Sequence, residues 1–370
     1  MAGIAVRIAQ RMGLHRDGTS LGIPPFEAEM RRRLWWQILI LDHRIAVVSG
    51  TSGFPSSYSW TTLFPSNVND SDLFVGMRDI PVESGRPTDM LFVSLRCEVF
   101  EFIRSLQATR GSSMDAKNKA IDAFEKHLES KYLKHCDPSA PLHSISNLMA
   151  RLEIWKLRSG VFTPQLIPDL RREIPQNDRD IVFSACLRVL EFHNTMLAMT
   201  NVQKFVWYSF TNPPFPAYLY LLCGLRTRTH DDLADRAWTQ IADHAENRER
   251  HGTWDNSRKS NPLRLAIANL TLKAWNARES ARSQFLPVLP IPRFISVLRD
   301  QLPNKRLQNA FSDRGAGQLE MPGAEGMPDF NWEMDDSSWP EFLLNDHSMA
   351  EWLTGDDLMH EDAILSIGKS

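Results

Sequence analysis

Residues 13–50 read GLHRDGTSLGIPPFEAEMRRRLWWQILILDHRIAVVSG, and past a loop residues 64–73 read FPSNVNDSDL. The block contains no catalytic spacing. It lays out a helix end, a loop and one long apolar helix. Upstream, Ile4, Ile8 and Met12 recur at helical spacing. Gly13 then offers a C-cap, so residues 1–13 are expected to close a helix. Pro24 and Pro25 open the next one, with Glu27 and Glu29 in the first turn, where the macrodipole favours anions. Leu34, Ile38, Leu41, Ile45 and Val48 then form a stripe that Trp35 and Leu39 widen. A helix apolar over most of its circumference is expected in the centre of a bundle.

The same periodicity continues downstream. Residues 50–86 form a Ser/Gly/Pro/Asn-rich connector. Helices are expected over 89–107, 115–135, 145–158 and 178–204, the last being the longest. Further helical stretches lie near 217–226, 231–250, 262–284 and 293–301, separated by prolines such as Pro213, Pro214, Pro287 and Pro290. Strand-like alternation is scarce and no repeat is visible. The fold class is therefore all-α, an irregular multi-helix bundle over residues 1–302.

Composition changes at Pro303. Residues 303–327 hold four Gly and two Pro and read as a flexible linker. Net charge over the 370 residues is −3, but 12 of the 45 carboxylates fall between Glu325 and Asp362, where there is no Lys or Arg. That leaves 33 carboxylates against 42 basic residues in the rest, an acidic tail on a mildly basic body. Residues 328–370 place Phe330, Trp332, Trp339, Phe342, Leu343, Leu344, Trp352 and Leu353 among these acids. Carboxylates alone would fit a solubilising terminus. Three interspersed tryptophans point instead to a disordered activation or interaction segment.

The cysteines are Cys97, Cys136, Cys186 and Cys223, with no CxxC pair. Neither a zinc site nor a redox motif is readable, and a reducing compartment is the plain expectation. No signal peptide is visible, and no run of about 18 uncharged apolar residues occurs, so no membrane partner is expected.

The opening block resembles the regulatory middle domain of fungal zinc-cluster transcription factors, the fungal-specific transcription factor domain. The matching residues are Gly13, Leu14, His15, Arg16 and Asp17, then Glu29 with Arg31, Arg32, Arg33, Leu34, Trp35 and Trp36, then Leu41, Asp42, Ala46 and Gly50. Pro65 to Asp70 also fits. One departure follows Ser49, where the family usually has Gly-Arg-Pro and this chain has Gly50 to Pro55 as GTSGFP. The resemblance implies a nuclear regulator of RNA polymerase II genes, not an enzyme. It implies coactivator contact through the tail and homo- or heterodimers with related factors. The family's DNA-reading module, a six-cysteine two-zinc cluster, is not found in these residues. DNA contact and zinc are expected only through it, and this chain is expected to need no cofactor. The chain opens inside what resembles a helix of the domain, as an internal start, a shortened gene model or a short isoform would.

Other motifs have plain structural explanations. Asp231, Asp232 and Asp235 spell DDxxD, the magnesium motif of all-α class I terpene cyclases. A helix start capped by Asp231 explains the same residues, and no second cyclase motif follows. The cyclase is the alternative from the enzyme class. A partner without DNA binding that titrates full-length relatives is the other alternative. Arg31–Arg33 could serve nuclear import, but pairs with Glu27 and Glu29 or a solvated face suffice. His193 on an apolar face is expected to be a satisfied core histidine, and the Trp35–Trp36 pair to serve packing rather than a pocket. Target genes, effector and the choice between activation and repression are not encoded legibly.

Overall fold

Prolines, capping side chains and left-handed glycines set the helix ends. The computed structural model describes residues 2–48, 59–83, 85–108, 113–166, 176–252, 262–282 and 290–301. They contain eleven α-helices and no strand. These are α1 (Ala2–Arg11), α2 (Pro25–Val48), α3 (Leu91–Ala108), α4 (Met114–Lys131), α5 (Pro141–Leu166) and α6 (Gln176–Ala198). Then follow α7 (Val206–Thr211), α8 (Phe215–Leu225), α9 (Asp232–Arg250), α10 (Pro262–Arg282) and α11 (Arg293–Gln301). The all-α expectation holds for these residues. The linker and tail assigned to 303–370 lie outside them.

Pro25, Pro141 and Pro262 each occupy the first helical position, where the missing N–H is no loss. Ser113 accepts the Ala116 N–H at 3.2 Å and starts α4. Gly13, at φ 73°, closes the turn after α1. Two boundaries differ from expectation. Helix α5 begins at Pro141 and runs through Pro164 to Leu166, longer than α6. The turn Thr200–Phe205 is 3-10, so α6 stops at Ala198.

Helix α6 is the hub of the body. One of its faces joins α8, α9, α10 and α11 around Leu187, Leu190, Phe215, Leu221, Trp238 and Trp275. The two tryptophans meet edge to face at 4.9 Å. Its other side shares, through Met196, the cluster of α3, α4 and α5, built on Leu91, Leu95, Ile121, Leu128, Ile145 and Met149. By length and composition α6 could cross a bilayer. Eleven of its residues are buried, the state of a core helix.

A third cluster joins α1, α2 and α3 through Val6, Leu14, Trp35, Trp36, Leu39, Cys97 and Phe100. Here the stripe expectation for α2 is corrected. Trp35, Trp36, Leu39 and Ile40 face inward, whereas Leu34, Leu41 and Ile45 are 49%, 49% and 45% exposed. The side chain of Val48 lies outside the described residues. Helix α1 behaves the same way. Ala2, Val6 and Ala9 are its buried residues, and Ile4, Ile8 and Met12 remain open. The small alanines let the helix axes approach, and no described element covers the far sides.

Candidate functional site

The motif residues converge on one node between the loop after α1, the first turns of α2 and the segment 61–72. Asp17 sits at its centre. Arg32 donates to both its oxygens, Nε to Oδ2 and Nη2 to Oδ1, each at 2.8 Å. The Thr19 and Leu63 amides add bonds of 3.1 and 3.0 Å. The Arg32 fork, then the Thr19 hydroxyl and the Leu63 and Thr19 amides, hold the Asp17 carboxyl far below the usual carboxylate range against the opposing effect of burial. The same pairing raises Arg32, helped by Glu29 beside it. The Asp17 and Arg32 side chains are both nearly buried.

Glu29 is fully buried one turn earlier. It accepts from Arg33 Nε at 3.1 Å and from the Ser66 amide at 3.1 Å. Arg33 also reaches Asp70 at 2.6 Å. Arg31 donates to the Met12 carbonyl at 3.0 Å and lies 3.7 Å from Glu27. The three arginines thus hold three different segments. The expected intrahelical pairs are present, Arg31 with Glu27 and both Arg32 and Arg33 with Glu29, but a solvated face is not, since Arg32 is buried.

Backbone bonds complete the seam. Thr61 N–H donates to His15 O at 2.9 Å, and Thr62 Oγ1 to Leu14 O at 2.7 Å. Trp36 Nε1 donates to Leu63 O at 2.8 Å. Gly18 has a steric reason: a Cβ there would stand 2.8 Å from that of Ala28. Further on, Asn67 accepts from Thr88 Oγ1 at 2.6 Å, and Asn69 caps the turn Asp70–Asp72. Much of the expected connector is therefore stitched to the body. Residues 49–58, where the family departure falls, lie outside the described residues.

Trp35 is fully buried and Trp36 nearly so. Trp60, missed in the sequence, joins both edge to face at 6.4 and 6.1 Å, and Phe64 packs on Trp36 at 4.6 Å. The pair serves packing. Arg16 and Leu34 are exposed. Asp42 is half-buried two turns beyond the node, and burial pushes its carboxyl up. The tail residues Phe330 to Leu353 lie outside the described residues.

The competing sites resolve into structure. Asp231 accepts the Ala234 amide at 2.7 Å as the N-cap of α9 and pairs with Arg228 at 3.0 Å. Asp235 pairs with the buried Arg278 at 2.7 Å. Among the described residues no group of three or more His, Cys, Asp or Glu could hold a metal. Burial pushes the thiols of Cys97 and Cys186 up to about 12.

His193 is buried, with Nε2 donating to the Ser209 carbonyl at 3.2 Å. Its Nδ1 makes no hydrogen bond among the described residues. His244 of α9, which i±4 scanning misses, lies 5.4 Å away and bonds Asn194 Oδ1 at 3.2 Å. Burial pulls His193 down to about 4, and burial plus the neighbouring His193 and Arg248 pull His244 well below its ordinary value. The unfolded chain therefore binds more protons than the folded one once pH drops below about 6.5. Stability is expected to be flat with respect to this pair above pH 7. It should fall by roughly 3 kcal/mol or more as pH drops from 6.5 toward 4. Denaturant titrations at pH 7, 6 and 5 check this, and an unchanged midpoint at pH 5 would disprove neutral burial.

Comparison with known proteins agrees with the node. Residues 1–80 match the fungal specific transcription factor domain. Over 297 residues the chain is 34% identical to the aurofusarin cluster transcription factor aurR2 of Gibberella zeae, covering 78% of this chain and 44% of that protein. It is 30% identical over 347 residues to the transcriptional regulator AacuB of Aspergillus aculeatus, covering 88% and 45%. It is 29% identical over 384 residues to the pyriculol/pyriculariol biosynthesis cluster transcription factor 1 of Pyricularia oryzae, covering 95% and 49%. The chain spans about half the length of these curated relatives. No solved structure matches it.

Proposed function

For a chain that carries the fungal specific transcription factor domain over residues 1–80 and is related over most of its length to fungal transcription regulators, we propose a role in transcription without chemistry of its own. It is the regulatory and activation portion of a zinc-cluster factor. The observation that carries this reading is the use of the motif itself. Asp17, Glu29, Arg32 and Trp36 spend their polar groups on holding residues 61–66 to α2. Among the described residues no group of three or more His, Cys, Asp or Glu stands there to hold a metal. A domain locked this way transmits state; it does not turn over substrate.

The proposal places the protein in the nucleus. DNA reading, with its zinc, belongs to a cysteine cluster outside these 370 residues, whose four cysteines are scattered. Output belongs to residues 328–370, whose aromatic and leucine side chains would bury in a coactivator groove while carboxylates keep them soluble and steer encounter. The open apolar stripes of α1 and α2 favour association with a related chain as a second reading.

The test is a fusion of residues 328–370 to an unrelated DNA-binding domain, read by a reporter gene. The fusion should activate. Replacing Trp332, Trp339, Phe342 and Trp352 with alanine should remove most of the signal at unchanged charge. Converting several Asp to Asn should lower it gradually, because charge steers more than it binds. Equal activation without the aromatic residues would reduce the tail to a solubilising terminus.

A further inference from the structure

Among the described residues, eight of the sixteen large apolar side chains that stay exposed fall within residues 4–45. They include Ile4, Ile8 and Met12 on α1 and Met30, Leu34 and Leu41 on α2, each 42–55% exposed. Arg31 of α2 donates Nη2 to the Met12 carbonyl at 3.0 Å, which brings the end of the α1 row to the start of the α2 row. Single exposed apolar residues are ordinary, but a concentration of them marks an interaction surface.

The charge around the α1 row has one sign. Arg7, Arg11 and Arg16 are exposed. The sole carboxylate in residues 2–26 is Asp17, and it is buried under Arg32. The first exposed carboxylate is Glu27, 3.7 Å from Arg31. An apolar face with a basic border calls for a partner that sets apolar side chains among acids. The chain carries such a segment itself. Between Glu325 and Asp362 it has 12 Asp or Glu and no Lys or Arg, with Trp332, Trp339, Phe342, Leu343 and Trp352 among them. A second copy fits less well, because it would bring the same three arginines to the same face.

The distance is within reach. Helix α11 ends at Gln301, and the 26 residues 302–327 separate it from the segment. Fully extended, a stretch of that length spans roughly 85 Å. A compact body of about 300 residues is only roughly 50 Å across. Tethering holds the segment at an effective concentration on the order of millimolar, so even a weak contact is populated.

We propose that residues 328–370 dock back on the α1–α2 face of their own chain. The tryptophan, phenylalanine and leucine side chains cover the apolar rows, and the carboxylates face Arg7, Arg11 and Arg16. This rests on the reading of the tail as an interaction segment and gives it a partner inside the chain. A coactivator groove and the α1–α2 face then compete for the same aromatic side chains.

The test is photo-cross-linking of the full chain with benzoylphenylalanine in place of Trp339 and, separately, of Trp352, followed by peptide mapping. Cross-links should fall on residues 2–48 and join the tail to the body of the same chain. Arg7→Glu with Arg11→Glu should lower the yield about threefold or more, the effect of reversing two exposed charges. Ile8→Ser with Leu34→Ser should lower it as well. All four side chains are on the surface, so the melting temperature of both double variants should stay at that of the parent. Cross-links to other faces of the body, or none to the body at all, would overturn the proposal. Cross-links that join two chains would do so too and would install a second copy as the occupant. Unchanged yield in both double variants would equally overturn it. Cross-linking reads docking without transcription. A tail that activates as a fusion yet does not cross-link to α1–α2 sinks the docking alone, and one that cross-links there yet does not activate sinks the activation reading alone.

Discussion

Asp17→Ala is expected to destabilise the body by roughly 3–5 kcal/mol, the usual penalty for removing one partner of a buried ion pair. The change strands the Arg32 guanidinium, whose side chain is 7% exposed and whose Nε and Nη2 both point at the lost carboxylate. It also frees the Leu63 and Thr19 amides. Urea unfolding read by far-UV circular dichroism measures it, with Asp115→Ala as the control. Asp115 pairs with Lys119 at 2.8 Å on the open surface, where an ion pair is worth little. Arg32→Met together with Asp17→Leu should recover part of the loss, because neither position then holds a charge without its partner, while Glu29 keeps Arg33. A midpoint for Asp17→Ala no lower than that of the control would sink the idea of a central lock. The pair also sets an acid limit separate from the histidine pair. Asp17 is depressed by Arg32, so its contribution is complete above the unfolded value of about 4 and is lost as pH falls below it. Acid unfolding should therefore show the histidine loss first and the Asp17 loss at lower pH.

Trp35→Ala is expected to cost a similar roughly 3–5 kcal/mol by a different route. Trp35 is fully buried, between His15 at 6.2 Å and Trp60 at 6.4 Å. Its Nε1 makes no hydrogen bond among the described residues, so the loss is packing and cavity alone. Its neighbour Trp36 differs: Trp36→Phe should lose less volume yet free the Leu63 carbonyl it now donates to. Chemical denaturation of both variants separates the two. A Trp35→Ala midpoint indistinguishable from that of an exposed change such as Trp207→Ala would mean the indole is not part of the core.

Much of this fold is legible in the chain. Helix periodicity locates nearly every element within a few residues, since the i, i+3, i+4 repeat is a local property. The reading of Asp231 as a cap needed only its place before Asp232 and Ala234. The ends of α5 escaped because a proline is read as a stop, and the end of α6 because the 3-10 turn Thr200–Phe205 keeps a near-helical pattern. Helix α5 accommodates Pro164 near its end, where α-helical geometry survives one missing N–H.

Which face of a helix is buried was not legible. Leu34, Leu41 and Ile45 make as good a stripe as Trp35, Trp36 and Leu39, and periodicity alone does not rank them. The choice fell to the neighbours, since α1 and α3 lie on one side of α2. The same holds for the lock itself. GLHRD and RRRLWW were recognisable as a pattern, yet nothing local says that Arg32, rather than Arg31 or Arg33, reaches back 15 residues to Asp17. Nor does it say that Glu29 binds the Ser66 amide 37 residues away. Trp60 lacks any periodic signal because it stands outside the helices, and the meeting of His244 with His193 is not local because the two come from different helices. The sequence by itself determined helix content, helix placement, the family signature and the acidic, aromatic composition of residues 328–370. Only the tertiary structure decided the pairings and the buried faces, because desolvation and close packing act between residues that meet in space, whatever their separation along the chain.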